Sequence, residues 1–177
     1  MPDTRLLWRH RVLLRRYPAK GRRVLDVGCG DGELAIAFAE AGAMVIGYDP
    51  SVETIAAARA RAREPGPRFT TEPPAPGGFD LVLCTEVLEH VPDDRAFALQ
   101  LISWLRPGGR VVGTTPVGSH FWDPDHKRTY DEQTLRSALG SVGAVTLRRY
   151  YRTPLRNLLP WRQRGAAVFL FEIQPLA

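Results

Sequence analysis

Residues 24–33 read VLDVGCGDGE, and residues 34–39 continue as LAIAFA. An apolar, partly β-branched run that ends in glycines and leads at once into apolar residues at helical spacing is typical of a strand, a tight turn and a helix. Because glycines lack Cβ, a ligand can approach this turn closely, and the free N–H groups at the start of the helix point towards it. The stretch predicts the nucleotide-holding corner of an α/β domain.

The spacing of these glycines argues against a dinucleotide site. Dinucleotide-binding turns have the pattern G-x-G-x-x-G, whereas residues 28–32 follow G-x-G-x-G and Glu33 stands where the third glycine is expected. Asp26 and Asp31 flank the turn, and their carboxylates would repel a pyrophosphate but suit a ligand that carries positive charge. S-adenosylmethionine, with its sulfonium and ammonium groups, is such a ligand.

Residues 24–32 resemble, nearly letter for letter, the first motif of the class I S-adenosylmethionine-dependent methyltransferases. The likeness continues in family order at residues 48–51, 79–84 and 105–109, and it covers residues 22–116. The resemblance implies an α/β fold, a Rossmann-like three-layer sandwich whose seven-stranded sheet is mostly parallel with an antiparallel last strand. It also implies an enzyme that uses S-adenosylmethionine and releases S-adenosylhomocysteine.

The length of 177 residues and the hydrophobic content of 44% predict a single domain, residues 1–177. We divide this domain into an N-terminal helix (1–18), a cofactor-binding half (22–116) and an acceptor-side half that ends in a hairpin (117–177). The sequence has no apolar run near the ~20 residues that span a bilayer and no signal-peptide pattern. We therefore expect a cytoplasmic protein.

The basic surplus and the two cysteines each have a simple interpretation. The formal net charge is +5, and only Lys20 and Lys127 among the 24 basic residues are lysine. The arginines cluster at residues 5–23 and 148–164, which leaves RNA open as a partner, although solvated surface arginines explain a surplus this modest. We expect Cys29 and Cys84 to be free, small buried residues under the cofactor rather than a structural disulfide.

Asp49 is the second predicted anchor of the cofactor. It follows Gly28 by about twenty residues, the distance at which a βαβ unit brings a carboxylate beside the ribose of a ligand. Pro50 and Ser51 are expected against the adenine, and Ser51 is also expected to cap the next helix. Glu72 is the candidate for the acidic residue that the family often uses to hold the adenine amino group. The predicted cofactor-binding residues are Asp26, Gly28, Cys29, Gly30, Asp31, Gly32, Asp49, Pro50, Ser51, Glu72, Cys84 and Thr85.

Hydrophobic spacing predicts the remaining elements. Residues 4–17 have the pattern of an amphipathic helix, which in the family commonly lies over the cofactor pocket; packing on the sheet alone is the alternative. We expect an acceptor-side loop at residues 116–130 and a long connection at 152–165. Strands are predicted at residues 44–48, 68–71, 79–84, 110–115, 145–147 and 167–171, and further helices at 51–63, 93–105 and 132–139.

The candidate catalytic residues follow the fourth predicted strand. Methyl transfer from a sulfonium is an in-line displacement, so the protein mainly supplies positioning and a dry pocket, and an oxygen nucleophile also needs its proton removed. The histidines on the ligand side of the predicted sheet are His90, His120 and His126, whereas His10 lies elsewhere. We assign His90, His126 and Glu86 as catalytic residues.

Glu86, Glu89 and His90 are spaced i, i+3 and i+4, so they would share one face if this stretch were helical. With a distant histidine such as His126, the set could bind a divalent metal. The segment resembles both the small-RNA 2′-O-methyltransferases, which use such a site for Mg²⁺ or Mn²⁺, and the ubiquinone-type O-methyltransferases. The alternative, which we favour from the sequence, assigns no metal ligand and places Glu86 near the cofactor with His90 packed locally.

The leading function hypothesis is methyl transfer to a small molecule, more readily at oxygen than at nitrogen, because the catalytic core carries no appended nucleic-acid module. Methylation of the ribose 2′-oxygen of RNA with a divalent metal is the runner-up, and a non-catalytic cofactor-binding subunit is the third hypothesis. A nicotinamide-dependent oxidoreductase is least favoured because of Glu33 and the acidic residues around the turn.

Overall fold

The computed structural model describes residues 6–118, 124–151 and 167–175. Its helices are α1 (Trp8–Arg16), α2 (Glu33–Glu40), α3 (Val52–Arg61), α4 (Asp94–Ser103) and α5 (Glu132–Gly140). Its strands are β1 (Arg23–Val27), β2 (Met44–Tyr48), β3 (Arg68–Thr70), β4 (Phe79–Thr85), β5 (Leu105–Pro116), β6 (Gly143–Tyr151) and β7 (Ala167–Pro175).

The strands form one seven-stranded sheet in the order β3-β2-β1-β4-β5-β7-β6. The pairs among β1 to β5 are parallel, whereas β7 runs antiparallel to both of its neighbours, β5 and β6. The predicted fold class is therefore confirmed, including the antiparallel last strand. Because all of the first five strands point the same way, their carboxyl ends meet at one edge of the sheet.

Helices cover both faces of the sheet, which makes the three predicted layers. On one face, Leu13, Phe38 and Ile55 from α1, α2 and α3 share a buried cluster with the strands. On the other face, Leu101 of α4 and Leu135 of α5 belong to a second cluster. The near-continuous burial of β1 and β4 follows from this arrangement, since a parallel strand covered on both sides is apolar on both sides.

The helix boundaries agree with the expected capping chemistry. The Ser51 hydroxyl accepts a hydrogen bond from the Thr54 N–H at 3.1 Å, which confirms Ser51 as the N-cap of α3. Asp93 caps α4 in the same way, through the Ala96 N–H at 2.9 Å.

Two boundaries differ from the predictions. The helix α1 covers Trp8–Arg16 rather than residues 4–17, and α4 ends at Ser103, so Leu105 begins β5 instead of ending the helix. The register between β4 and β5 shifts beside Asp80, because residues 106–109 bulge out of the strand. This bulge is held by an ion pair between Arg106 and Asp80, a tertiary contact that the sequence pattern does not reveal.

The crossover from β3 to β4 spans residues 71–78 and contains no helix. Trp104 ties this connection to the sheet: its indole N–H donates to the Pro74 carbonyl at 2.9 Å, and its ring meets the Tyr48 ring edge-on at 6.1 Å between centroids. Trp104 therefore links the proline-rich connection to Tyr48 at the end of β2.

Some predicted features lie outside the described residues. These are the part of the acceptor-side loop at residues 119–123, which includes the candidate His120, and the connection at residues 152–165. In the part of the chain that the structure does describe, every helix is too short or too polar to cross a membrane.

A matched pair of leucines on α4 tests the assignment of its faces. Leu101 is fully buried, whereas Leu99 is 52% exposed. We expect Leu101→Ala to lower the free energy of unfolding by about 2–5 kcal/mol, because it removes buried methyl groups and leaves a cavity. Leu99→Ala should change it by less than about 0.5 kcal/mol. Urea denaturation followed by circular dichroism measures both values, and equal losses would contradict the assigned orientation of α4.

Candidate active site

The glycine turn between β1 and α2 combines close packing with an open backbone. Gly28, Gly30 and Gly32 have φ values of 65°, 54° and 81°, in the left-handed region that glycine adopts most readily. A Cβ at Gly28 would lie 2.4 Å from Val87 Cγ2, and one at Gly32 would lie 2.6 Å from Phe69 Cζ. At Gly30 a Cβ would meet nothing within 4 Å. The outer glycines allow packing, and Gly30 leaves the backbone accessible.

Hydrogen bonds join this turn to the end of β2. The N–H groups of residues 28 and 29 donate to the Tyr48 carbonyl at 2.8 and 3.1 Å. The Asp49 carboxylate accepts the Gly30 N–H at 3.2 Å through one oxygen and the Ser51 N–H at 3.0 Å through the other. Asp49 is thereby fixed beside the open backbone of Gly30, and its contact with the ribose of a ligand stays a prediction.

The Asp26 carboxylate, in β1 just before the turn, differs from the other carboxylates near the turn in its burial and its hydrogen bonding. It is 1% exposed, and neither of its oxygens has a hydrogen-bond partner among the described residues. Burial raises the pKa of Asp26 to about 7; the negative charge of Asp49 adds to the shift, and the Ala35 N–H, outside the limits of a hydrogen bond, opposes it. A buried carboxylate without a full hydrogen bond is costly, so a ligand that carries positive charge or N–H groups would stabilise this side chain.

Other predicted cofactor residues lie farther from this centre. The Asp31 side chain is exposed and forms an ion pair with Arg61 of α3. Glu72 and Pro50 are exposed, at the ends of β3 and β2. The structure therefore brings Asp26 and Asp49 together around the turn, whereas the Asp31 carboxylate already has a cationic partner in the protein.

The two cysteines are free and buried, as predicted. Cys84 lies opposite Val27 on one side and Gly113 on the other, at the carboxyl end of β4. Burial raises the pKa of both thiols. Neither side chain therefore has the character of a reactive thiolate, and Cys84 contributes packing beneath the site.

Residues 86–90 form turns rather than the helix on which the i, i+3, i+4 argument depended. Glu86 has φ of 55°, and its N–H donates to the Thr114 carbonyl at 2.9 Å, so the chain leaves β4 in a left-handed conformation that a helix cannot continue. Pro92 also disfavours helical geometry at the residue before it. The condition under which Glu86, Glu89 and His90 would share one helical face is therefore not met.

Two of these residues, Glu89 and His90, nevertheless lie close to His126 in the folded chain. One potential ligand atom from each of Glu89, His90 and His126 lies within 4.8 Å of the others. The two imidazole rings meet edge-on with 4.7 Å between centroids. The Lys127 N–H donates to the Glu89 carbonyl at 2.8 Å and so anchors the segment that carries His126.

Two threonines at the end of β5 hold the acidic side chains. Thr114 donates to Glu86 Oε1 at 2.8 Å, and Thr115 donates to Glu89 Oε2 at 3.0 Å. Glu89 is 1% exposed and its Oε1 has no partner among the described residues. Burial raises the pKa of Glu86, and burial together with the charge of Glu86 raises the pKa of Glu89 to about 7.

These threonines were not predicted as site residues. Their signal was a pair of hydroxyl residues at the carboxyl end of a strand that is otherwise apolar, which is where α/β folds place their ligands.

Arg9 is a second residue that sequence reasoning missed. The start of α1 is tied to the start of α2 because the Leu7 N–H donates to Glu33 Oε1 at 2.8 Å. From this position the charge of Arg9 lowers the pKa of both Glu86 and Glu89, so its guanidinium faces the acidic end of the site. Its buried Nε has no partner among the described residues. Leu13 of α1 packs in the cluster on the sheet, and the position of this helix over a bound cofactor stays a prediction.

A sequence profile of the family described as "Methyltransferase domain" matches residues 4–168. The chain belongs to this methyltransferase-domain family, which confirms the resemblance drawn from the motif at residues 24–32. The fold and the glycine turn agree with that membership.

Individual relatives give more detail. Over 103 residues the chain is 41% identical to the ubiquinone biosynthesis O-methyltransferase of Idiomarina loihiensis, a match that covers 54% of this chain and 42% of the relative. The chain thus spans less than half the length of this curated relative.

Solved structures share the fold. An S-adenosylmethionine-dependent methyltransferase from Mesorhizobium loti is similar with a TM-score of 0.75 and 21% identity, covering 98% of this chain and 100% of the other. Phosphoethanolamine N-methyltransferase 2 of Haemonchus contortus, in complex with S-adenosyl-L-methionine, has a TM-score of 0.73 and 18% identity, covering 96% and 53%.

His10 makes the stability of the protein depend on pH. Burial lowers the pKa of His10 to about 4, and Arg9 adds to this effect. Between pH 6.5 and 4 the unfolded chain binds a proton there that the folded chain does not, so the folded state loses stability as the pH falls. We expect His10→Leu to remove this contribution, which amounts to at most about 1.4 kcal/mol per pH unit. Urea titrations of both proteins across this range measure it, and parallel pH profiles would contradict the burial of a neutral imidazole.

Proposed function

We propose that the protein transfers a methyl group from S-adenosylmethionine to a small-molecule acceptor, at oxygen rather than at nitrogen. The observation that carries the proposal is the Asp26 carboxylate, which is buried without a hydrogen-bond partner among the described residues, two positions before the glycine turn whose backbone is accessible at Gly30. A cationic ligand would satisfy this carboxylate. Membership of the methyltransferase-domain family supports the same donor.

Each end of the donor has a suitable partner at the site. The oxygens of Asp49, already oriented by the N–H groups of Gly30 and Ser51, retain lone pairs that can accept the two ribose hydroxyls. Asp26 would receive the ammonium group. Pro50 and Glu72, at the ends of β2 and β3, are the candidates for the adenine end.

Arg9 would hold the carboxylate of the donor. The methionine end of S-adenosylmethionine is a zwitterion, and a pocket lined only by Asp26, Glu86 and Glu89 would repel its negative group. Arg9 brings a guanidinium whose Nε is still without a partner among the described residues. An arginine is well suited to this role because its planar group matches the geometry of a carboxylate.

When bound, S-adenosylmethionine supplies an electrophilic methyl group and leaves as neutral S-adenosylhomocysteine. The protein's contribution is to hold the acceptor in line and to exclude water, which can account for up to about 7–11 kcal/mol of the barrier. The imidazoles of His90 and His126 are the groups that can take the hydroxyl proton of the acceptor. Glu86, fixed by Thr114, would stabilise the imidazolium that results.

The choice of a small acceptor is supported by the relatives, since the curated proteins that match this chain are named ubiquinone biosynthesis O-methyltransferases. A phenol or catechol is therefore the first acceptor class to test. An acceptor nitrogen would not need a base, so the pair of histidines favours oxygen. The cytoplasmic location remains a prediction from the sequence.

Calorimetric titration with S-adenosylhomocysteine tests the donor site. A bound ammonium would lower the pKa of Asp26, which burial raises to about 7 in the free protein. Binding then releases a proton, so we expect affinity to rise with pH by up to about tenfold per unit below that pKa. Asp26→Asn should bind more weakly, by about tenfold or more, and with a flatter pH profile.

Glu40→Gln, an exposed change at the end of α2, serves as the control and should leave binding unchanged. The absence of measurable binding by the unmodified protein would overturn the proposal. Turnover with a panel of phenols and catechols then separates an enzyme from a non-catalytic cofactor-binding subunit, which would bind the donor and methylate nothing.

A second candidate is methyl transfer to the ribose 2′-oxygen of RNA with a divalent metal. The observation that favours it is the convergence of Glu89, His90 and His126. Two imidazoles and a carboxylate suit a divalent transition metal, and Glu89 Oε1 has no other partner among the described residues. Such a metal would polarise the acceptor oxygen. Arg148 and Arg149, exposed on β6, offer positive charge for a nucleic acid.

Binding of Mn²⁺ alone, measured by calorimetry on chelator-treated protein, tests this second candidate. We expect wild-type protein to bind the ion and His126→Ala to bind it at least about tenfold more weakly, because one of three ligands is lost. Lys20→Gln is the surface control. No heat of binding with wild-type protein would exclude the metal, and salt-independent interaction with a short RNA would exclude the nucleic acid.

A further inference from the structure

Residues 126–130 alternate between inward and outward positions. His126 and Arg128 are half-buried and Tyr130 is buried, whereas residues 125, 127 and 129 are exposed. Lys127 lies at a bend, and residues 128 and 129 have no regular secondary structure. Because His126 lies two residues before Arg128 and four before Tyr130, contacts made by Arg128 and Tyr130 hold the segment that carries His126.

Those contacts converge on one carboxylate. Arg128 Nη1 lies 2.9 Å from Asp94 Oδ2, and the Tyr130 hydroxyl donates to the same oxygen at 3.0 Å. Arg128 also donates to the Pro92 carbonyl through its other terminal nitrogen. We call Asp94, Arg128 and Tyr130 the latch. It joins the inward face of residues 126–130 to the start of α4, where a carboxylate is also stabilised by the helix dipole.

Backbone contacts hold the same segment on either side of the latch. The Lys127 N–H donates to the Glu89 carbonyl, and the Gly118 N–H donates to the Tyr130 carbonyl, both at 2.8 Å. Val117 and Tyr130 also form an isolated parallel bridge. The only side-chain ion pair that the structure assigns to this segment is the one to Asp94. This ion pair lies two residues from His126, so losing it would weaken the attachment of the segment on the carboxyl side of His126.

We propose that Arg128, acting through Asp94 and Tyr130, is a positioning residue that keeps the His126 imidazole against that of His90. The inference rests on the proposed function, because it concerns the same pair of histidines. The ion pair is more enclosed than a typical surface pair: its side chains are 26% and 24% exposed, against 48% and 58% for Arg136 and Glu132 on α5. Enclosed pairs with shared hydrogen bonds are stronger than exposed ones.

Two readouts on Arg128→Gln test the latch. First, kcat with a phenolic acceptor should fall by about 10- to 100-fold, because a displacement of the histidine near 1 Å is enough for such a loss, while KM for S-adenosylmethionine changes less than about twofold. Second, hydrogen exchange at the Lys127 amide should accelerate, because its bond to Glu89 opens more often. Arg128→Lys, which keeps the charge, should recover part of kcat.

Arg136→Gln is the matched control, since it breaks an arginine–carboxylate pair of similar length, 3.0 Å, on the surface of α5. It should leave both readouts unchanged. Asp94→Asn should resemble Arg128→Gln, and the double variant should be no worse than either single variant, because both changes break the same contact.

Wild-type exchange and wild-type kcat in Arg128→Gln would overturn the latch, as would additive losses in the double variant. Failure of the proposed function is distinguishable: a wild-type protein that neither binds S-adenosylhomocysteine nor methylates an acceptor would refute the reaction. In that case the hydrogen-exchange rate of the Lys127 amide alone shows whether the latch holds residues 126–130 in place.

Discussion

The parallel pairing of β1 with β2 and β4 is the constraint on which the site depends. It places Val27 opposite both Tyr48 and Cys84, so the chain leaves each of these strands at the same edge of the sheet. Asp26, Asp49 and Glu86 thereby become neighbours although they are far apart in sequence. Close approach of the strands is equally necessary, since a Cβ at Gly113 would lie 2.0 Å from the Cys84 carbonyl.

This edge concentrates acidic side chains that form no ion pair among the described residues. Asp26 and Glu89 are both buried with raised pKa values, and each keeps at least one oxygen without a partner among the described residues. Arg9 acts on the acidic end from α1 without forming an ion pair of its own in the described part of the chain. Burying carboxyl groups without partners lowers the free energy of unfolding. Carboxyl groups with shifted pKa values in a cleft are typical of functional sites.

The features that could be predicted are those that local sequence determines. The glycine turn, Asp49 and the Ser51 cap follow from a strand, a turn and a helix at fixed spacing, and all three are found. Arg9 could not be assigned, because its role depends on how α1 crosses the sheet. The helix that would place Glu86, Glu89 and His90 on one face does not form at residues 86–90, because Glu86 leaves the strand in a left-handed conformation that residue spacing does not reveal. His126 and His90 are 36 positions apart in the sequence, and their proximity depends on tertiary contacts. Hydrophobic periodicity carries no information about such contacts.

Part of the arginine surplus is explained by the positions of arginines on the two edge strands of the sheet. β3 and β6 are the edges, and their free backbone groups could pair with a strand from another molecule. Arg68 in β3 and Arg148 and Arg149 in β6 are exposed at those edges. Bulky, like-charged guanidinium groups there make edge-to-edge joining of two copies electrostatically unfavourable, so these arginines disfavour fibre-like association of the chain.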